Sequence, residues 1–351
     1  MTFDSGAWNN SLEIDSTFFV SHPFLLLNIL PDTLQTGSAW TDYRVTNLTY
    51  NVPPSVKIGN TNLVYNALAI TNLQEAFQDE GMEGLFNIPK NDTTHVWELN
   101  FERNYLEIHQ ATNFRMPKNC FICPMKNGIY PFNIQLPLHV KCADGDTLTL
   151  NHTYFIDTGM PWDIALKYSA EELDFFNKKE DAVWSVFMDG YFRHYTVSAP
   201  LFDDFVMDSL RIYTFDYPDA LPSKYIIGQN FLKRFNVFFD MKNKQVGLQP
   251  IKTFKRIINP GRRRFHFSAP QNSEGKFIVA MVANYKSNYY KTAGFQVGDE
   301  IVAVNGKPYK DITWEERSEF YKEDTLIYNL IRDGKPLQIV VQVNKNEEQG
   351  E

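Results

Sequence analysis

Cysteine is scarce in this chain of 351 residues: there are three, Cys120, Cys123 and Cys142. Cys120 and Cys123 form CFIC, but no second CxxC and no HxxxH follows, so a four-ligand zinc site is not expected. A redox CxxC opens a helix after a strand. Here Pro117 and Pro124 flank the pair, which predicts a loop. The thiols are expected to be structural; the alternative is one bridge, Cys120–Cys123 or either of these with Cys142. Long apolar runs are missing too. The most apolar window, FFVSHPFLLLNIL (18–30), is interrupted by Ser, His, Pro and Asn and is too short for a membrane span. The N-terminus lacks the basic flank and apolar core of a signal peptide, so the sequence as written is expected in the cytoplasm. Positive charge is in deficit, with 34 Lys and Arg against 42 Asp and Glu. The net charge of −8 argues against a nucleic-acid partner, which needs a basic footprint. HExxH and GxSxG are both absent, which leaves no sign of a zinc peptidase or a serine nucleophile.

What the chain has is aromatic residues, 15% of the total, with 28 Phe and 18 Tyr. Flat rings pack well on pleated, half-buried surfaces, so an all-β fold class is expected. The length suits two or three domains. In residues 131–160, Phe132, Ile134, Leu136, Leu138 and Val140 alternate with other residues. A turn follows at Ala143-Asp144-Gly145-Asp146, then a strand that ends in Ile156-Asp157-Thr158-Gly159. Residues 225–248 (YIIGQNFLKRFNVFFDMKNKQVGL) predict a short helix, a strand, a turn and a returning strand.

The same rhythm occurs earlier. Leu99-Asn100-Phe101, the turn Glu102-Arg103-Asn104, then Leu106 and Ile108 match Phe239-Asp240-Met241, Lys242-Asn243-Lys244, Val246 and Leu248. Asp4-Ser5-Gly6 alone is an ordinary turn triplet. It lies 96 residues before Asn100, and Asp157-Thr158-Gly159 lies 83 before Asp240. A D-[ST]-G triplet and a strand–turn–strand ending thus occur twice in the same order, which predicts an internal duplication.

Two carboxylates held about 3 Å apart share one proton, because both cannot ionise. The charged one acts as general base toward water, and the protonated one polarises a carbonyl and supplies the leaving group's proton. FDSGA and FIDTGM resemble the two catalytic loops of the pepsin/retropepsin clan of aspartic proteases. YIIGQNFL with its following hairpin resembles that clan's second signature. The resemblance covers residues 1–250 and implies a bilobal pepsin/retropepsin-like fold of two pseudo-symmetric β-barrel lobes. It also implies an aspartic endopeptidase with no cofactor and no metal, acting on protein or peptide substrates. It makes Asp4 and Asp157 the catalytic dyad, with Ser5, Gly6, Thr158 and Gly159 as supporting loop residues and Gly84 and Gly228 as signature glycines. Ala7 and Met160 stand third after each Asp, nearer the retroviral pattern than pepsin's hydroxyl residues. With fewer hydroxyl donors to the carboxylates, the working pH is expected above pepsin's. Candidate flaps are residues 36–52 and 187–199, where Trp40, Tyr43, Tyr191 and Tyr195 either touch substrate or are plain strand aromatics. Glu83 stands where an apolar residue is expected, so it must be exposed or paired.

AGFQVGDEIVAVNGK (293–307) resembles the PDZ fold, over residues 255–345. That implies capture of a C-terminal or extended peptide in its groove. Arg262, Arg263 and Arg264 attract a carboxylate or form a solvated linker. The expected layout is lobe 1 at 1–109, a linker at 110–130, lobe 2 at 131–250, a PDZ-like domain at 251–345 and a polar tail at 346–351. A basic, proline-bearing stretch at 249–264 joins the last two domains. A monomer suffices, since both lobes lie in one chain. Lobe 2 has a hairpin before its Asp, whereas only Met1, Thr2 and Phe3 precede Asp4. This predicts a segment upstream of Met1, with export to the periplasm or cell envelope, as in bacterial proteins of this style. The alternative function is a non-catalytic peptide-binding protein with a degenerate or truncated first lobe.

Overall fold

The computed structural model describes residues 2–3, 11–21, 33–38, 44–50, 54–74, 83–89, 92–127, 132–167, 170–179, 183–187, 190–202, 205–215, 223–254, 266–272, 274–283, 288–313, 316–317 and 319–343. The fold is predominantly β. The chain divides into two compact units, Met1–Ala170 with Thr196–Lys255, and Glu171–Tyr195 with Arg256–Glu351.

In the first unit the predicted alternation forms long strands. β12 (Asn133–Cys142) and β13 (Thr147–Asp157) pair antiparallel around the expected turn. Gly145 takes φ +93° there, a conformation that costs glycine nothing. Ile134, Leu136, Leu138 and Val140 point to one face and are buried, as are Phe132 and Phe155. Each such side chain stabilises the fold by about 1.5–3 kcal/mol through apolar burial.

Two halves of this unit repeat one strand plan. The first half contains β1 (Thr2–Phe3), β2 (Ser11–Asp15), β3 (Thr33–Ser38), β4 (Arg44–Tyr50), the β5–β6 hairpin (Ser55–Ile58, Thr61–Val64), β7 (Ala67–Thr71) and β8 (Gly84–Phe86). It closes on the hairpin β9–β10 (His95–Asn100, Tyr105–Gln110). After β11 (Phe121–Lys126), β12 and β13 come β14 (Ile164–Leu166), then, past β15 (Val183–Phe187) and the first residues of β16 (Gly190–Phe202), which fall in the second unit, the rest of β16, β17 (Phe205–Phe215) and β18 (Tyr225–Gly228). The second half closes on the hairpin β19–β20 (Phe235–Asp240, Gln245–Pro250). Hydrogen-bonded neighbours run β1-β8-β2-β7-β4 in one half and β13-β18-β14-β17-β16 in the other. The senses agree. β1–β8 and β13–β18 are parallel, β2–β8 and β14–β18 antiparallel, and β2–β7 and β14–β17 parallel.

The closing hairpins repeat at atomic detail. Asn100 and Asp240, like Tyr105 and Gln245, lie 140 residues apart. Asn100 Oδ1 accepts the Arg103 N–H at 2.9 Å, and Asp240 Oδ1 accepts the Asn243 N–H at 3.0 Å. Both turns end on a left-handed residue, Asn104 at φ +56° and Lys244 at +52°. β9 and β19 pair with each other, Trp97 with Phe239 and Leu99 with Val237. Shifting each residue by 140 exchanges those two pairs and maps the pair Glu98–Phe238 onto itself, so the pairing has a local two-fold at Glu98–Phe238. β11 lies in the stretch expected to be a linker. It is a strand between β20 and β12.

The second unit has its own core. β22 (Phe277–Ile278), β24 (Glu300–Val304), β26 (Thr325–Arg332) and β27 (Lys335–Gln342) form a sheet, with β25 (Lys307–Pro308) on β24. β21 (Phe267–Ser268) and β23 (Met281–Val282) pair beside them. Asn305-Gly306 and Asp333-Gly334 have positive φ throughout, as tight hairpin turns require. Helix Tyr289–Ala293 is capped by the Asn288 side chain and stopped by left-handed Gly294. Val279, Tyr290, Phe295, Ile301, Leu326, Tyr328 and Val341 fill the interior. Buried Asp299 holds Arg332 through two contacts at 2.6 and 2.8 Å. Thr313 and Glu316 exchange backbone-to-side-chain hydrogen bonds, the reciprocal pattern of a capping box. This unit also takes in residues 171–195, where β15 pairs the first residues of β16 antiparallel.

Candidate active site

Asp157 is the last residue of β13 and is half-buried. Its Oδ1 accepts the Gly159 N–H at 3.0 Å, so the D-T-G turn orients its own carboxylate. Parallel pairing with β18 sets Asp157 opposite Gly228. Here the glycine is required by space. A Cβ on Gly228 would lie 2.5 Å from the Trp162 carbonyl oxygen and 2.7 Å from that of Met160. Three backbone bonds tie the two segments together. Gly228 donates to Asp163 O, Gln229 to Met160 O and Asn230 to Trp162 O. Thr158 is buried, and the Trp162 ring packs on Tyr213 at 5.7 Å.

Behind this turn lies a buried ion pair that the sequence reading missed. Asp163 is fully buried and Arg234 nearly so, with Arg234 Nη2 3.4 Å from Asp163 Oδ1. Asp163 Oδ2 accepts the Arg211 N–H at 3.1 Å. Arg234 also donates to the carbonyls of Asp208 and Ser209. The only sequence signal was an Arg six residues after the signature glycine.

In the first half, Phe3 is the described residue next to the first triplet. Asp4, Ser5, Gly6, Trp40 and Tyr43 lie outside the described residues. Phe3 pairs with Phe86 in the same parallel sense. It packs on Phe86 at 5.4 Å and on Trp97 at 6.3 Å. Phe3 and Phe86 therefore correspond to Ile156 and Ile227, each one residue before the acid or glycine position. By that register the counterpart of Gly228 is Asn87, not Gly84, which corrects the signature expected at Gly84. Asn87 is buried, and its carbonyl accepts the Tyr65 hydroxyl at 2.8 Å. Glu83 is exposed, as its charge demanded. Its carbonyl accepts the Asp15 N–H, as Lys224 accepts that of Lys167.

Tyr191 is described only as a position in β16. Tyr195 is buried and packs on Phe176 at 5.3 Å, so it is an interior residue rather than a substrate-facing one. Cys120, Cys123 and Cys142 form no disulfide. Burial pushes Cys120 and Cys123 up to about 12, which leaves them protonated and unreactive.

Two other polar clusters sit on β9 and β10. Asp92 accepts from Trp97 Nε1 at 2.9 Å and from Thr94 Oγ1 at 2.8 Å, and it contacts His95 Nδ1 at 2.9 Å. Burial pushes the Asp92 carboxyl up, but these hydrogen bonds outweigh it and hold the group below its ordinary value. Glu98, Glu107 and His109 bring their ligand-type atoms within 4.8 Å of one another. Glu98 is already met by Asn100 Nδ2, the Tyr105 hydroxyl and His109 Nε2, as a buried carboxylate needs. No protein-family model and no curated protein matches the chain.

Proposed function

We propose that this chain is an aspartic endopeptidase of the two-lobed pepsin/retropepsin type, with a PDZ-like domain that recruits or positions peptide. One observation carries the reading. A strand running into a D-[ST]-G triplet pairs in parallel with a second strand at Phe3–Phe86, and again at Asp157–Gly228. That repeat supports reading Asp4 and Asp157 as counterparts in the two halves. The two carboxylates share a proton; the charged one activates water, and the other polarises the scissile carbonyl and protonates the leaving amine. The pair titrates as a unit. The test is cleavage of unfolded casein by the full chain, with a statine-type transition-state mimic as inhibitor. Asp157→Asn and Asp4→Asn each abolish cleavage; undiminished cleavage by Asp157→Asn rejects the dyad. A rate optimum below about pH 3, under the ordinary carboxylate value, rejects the expected working range.

A second reading has its own support. Asn87 stands where Gly228 admits close backbone approach in the other half. That difference favours a non-catalytic peptide-binding protein built on the same scaffold. Binding of an extended peptide without cleavage, unchanged in Asp157→Asn, distinguishes it.

A further inference from the structure

We propose that Arg234 and Asp163 are a positioning pair that holds the Asp157 turn from behind without touching substrate. The proposal rests on the reading of Asp157 as a catalytic acid. The contacts form a chain. The Arg234 guanidinium meets the Asp163 carboxylate, Asp163's own carbonyl accepts the Gly228 N–H at 2.9 Å, and Gly228 lies opposite Asp157. The gap is too tight to absorb movement, because the Met160 and Trp162 carbonyls close on Gly228. A shift of Asp163 therefore passes into the turn that carries Asp157.

Two features argue that more than filling of the interior is involved. Ser209 is held at φ +55° with its carbonyl on Arg234, a conformation disfavoured for a side-chain-bearing residue. Among the described residues, the matching positions of the first half carry no such pair. Shifting Arg234 back by 140 gives Thr94, which is exposed, and the register of β2 and β14 puts Ser11 at the place of Asp163. An apolar pair would fill the same volume at similar or lower cost, but it would not fix a fork of donors on three oxygens.

The test uses the full chain with Arg234→Lys and Asp163→Asn, each first checked for a cooperative thermal transition. Carboxyl ¹³C shifts of Asp-labelled protein, assigned with Asp157→Asn, follow the titration of Asp157. In Arg234→Lys its midpoint moves by about half a unit or more, since small displacements change the carboxylate's donors. On casein, kcat falls about tenfold or more while KM stays within about threefold, the pattern of lost transition-state alignment. A midpoint and kcat equal to wild type in both folded variants overturn the proposal. If either single variant fails to fold, the double variant Arg234→Met/Asp163→Leu replaces it. A wild-type midpoint there overturns the proposal equally. If wild type cleaves nothing, or Asp157→Asn cleaves as well as wild type, the protease reading fails, and the titration midpoint still decides the positioning claim.

Discussion

In the second half of the first unit, the strand ending at Asp157 is backed by charge: Arg234 and Asp163, both buried, with Arg211 and two carbonyls around them. The first half backs its equivalent strand with rings. Phe3 lies against Phe86 and Trp97, and Trp97 is tied through its Nε1 to Asp92. Strand order, sense and closing turns are shared. What differs is the chemistry that supports each end. A duplicated fold needs the same hydrogen-bonded ladders in both copies, but the space behind a ladder can be filled in several ways at similar free energy.

The largest expected effect separates those two supports. Arg234→Met leaves Asp163 buried without its cation and costs about 3–5 kcal/mol in urea unfolding. Thr94→Met, at the position 140 residues earlier, costs about 1 kcal/mol or less, as exposed substitutions do. Equal costs would break the comparison.

Gly228→Ala comes next. Its Cβ would enter two backbone carbonyls at 2.5 and 2.7 Å, so overpacking costs about 2–3 kcal/mol. Asn87→Ala, at the matching register position, keeps the carbonyl that accepts the Tyr65 hydroxyl and costs about 1 kcal/mol, the ordinary size for a single substitution. The ratio of the two, measured by denaturant midpoint, sharpens the point that only one copy is closed on its glycine. A larger loss in Asn87→Ala would mean that the register correspondence is wrong.

How much of this was legible in the chain depended on how local each signal was. The β12–β13 hairpin could be read because Ile134, Leu136, Leu138 and Val140 alternate and Asp144-Gly145 supply a turn. The paired endings could be read because Asn100 and Asp240 open turns of one chemistry. β11 could not. Only Cys123 of its six residues is buried, and its partners at 245–248 are distant in sequence. Gly84 was misleading for a related reason. A glycine before two apolar residues looks like a signature, but pairing with Thr2 and Phe3 decides the register. Arg234 lies just after the short helix expected within residues 225–248, with no local feature to single it out. Its burial depends on the folded path of residues 208–211, which no local pattern reports.

A pH experiment probes the ring-backed side. The folded Asp92 carboxyl titrates below its ordinary value of 3.8 because Trp97, Thr94 and His95 hold the charged form against the cost of burial. A lowered folded value means stability that is complete above the ordinary value and is lost as pH falls through the lowered one. Wild type therefore loses more stability than Asp92→Asn as pH drops below about 4. The matching residue in the other half is Leu232, which cannot titrate. An identical acid profile in the variant would remove Asp92 from the account.

The smallest effect tests whether the two closing turns are energetically as alike as their hydrogen bonds. Asn104 and Lys244 occupy the same left-handed place, at φ +56° and +52°. Asn tolerates that region because its short polar side chain bonds locally, whereas Lys has no such relief. Glycine removes the steric cost and adds chain entropy to the unfolded state. Lys244→Gly should therefore stabilise the protein by about 0.5 kcal/mol, and Asn104→Gly by roughly half of that or not at all. The measurement is the urea midpoint at constant slope, since an altered slope would report a change in the unfolded chain instead. If both substitutions destabilise equally, the left-handed residues carry side-chain contacts that outweigh their backbone strain. The turns would then be matched by those contacts rather than by geometry alone.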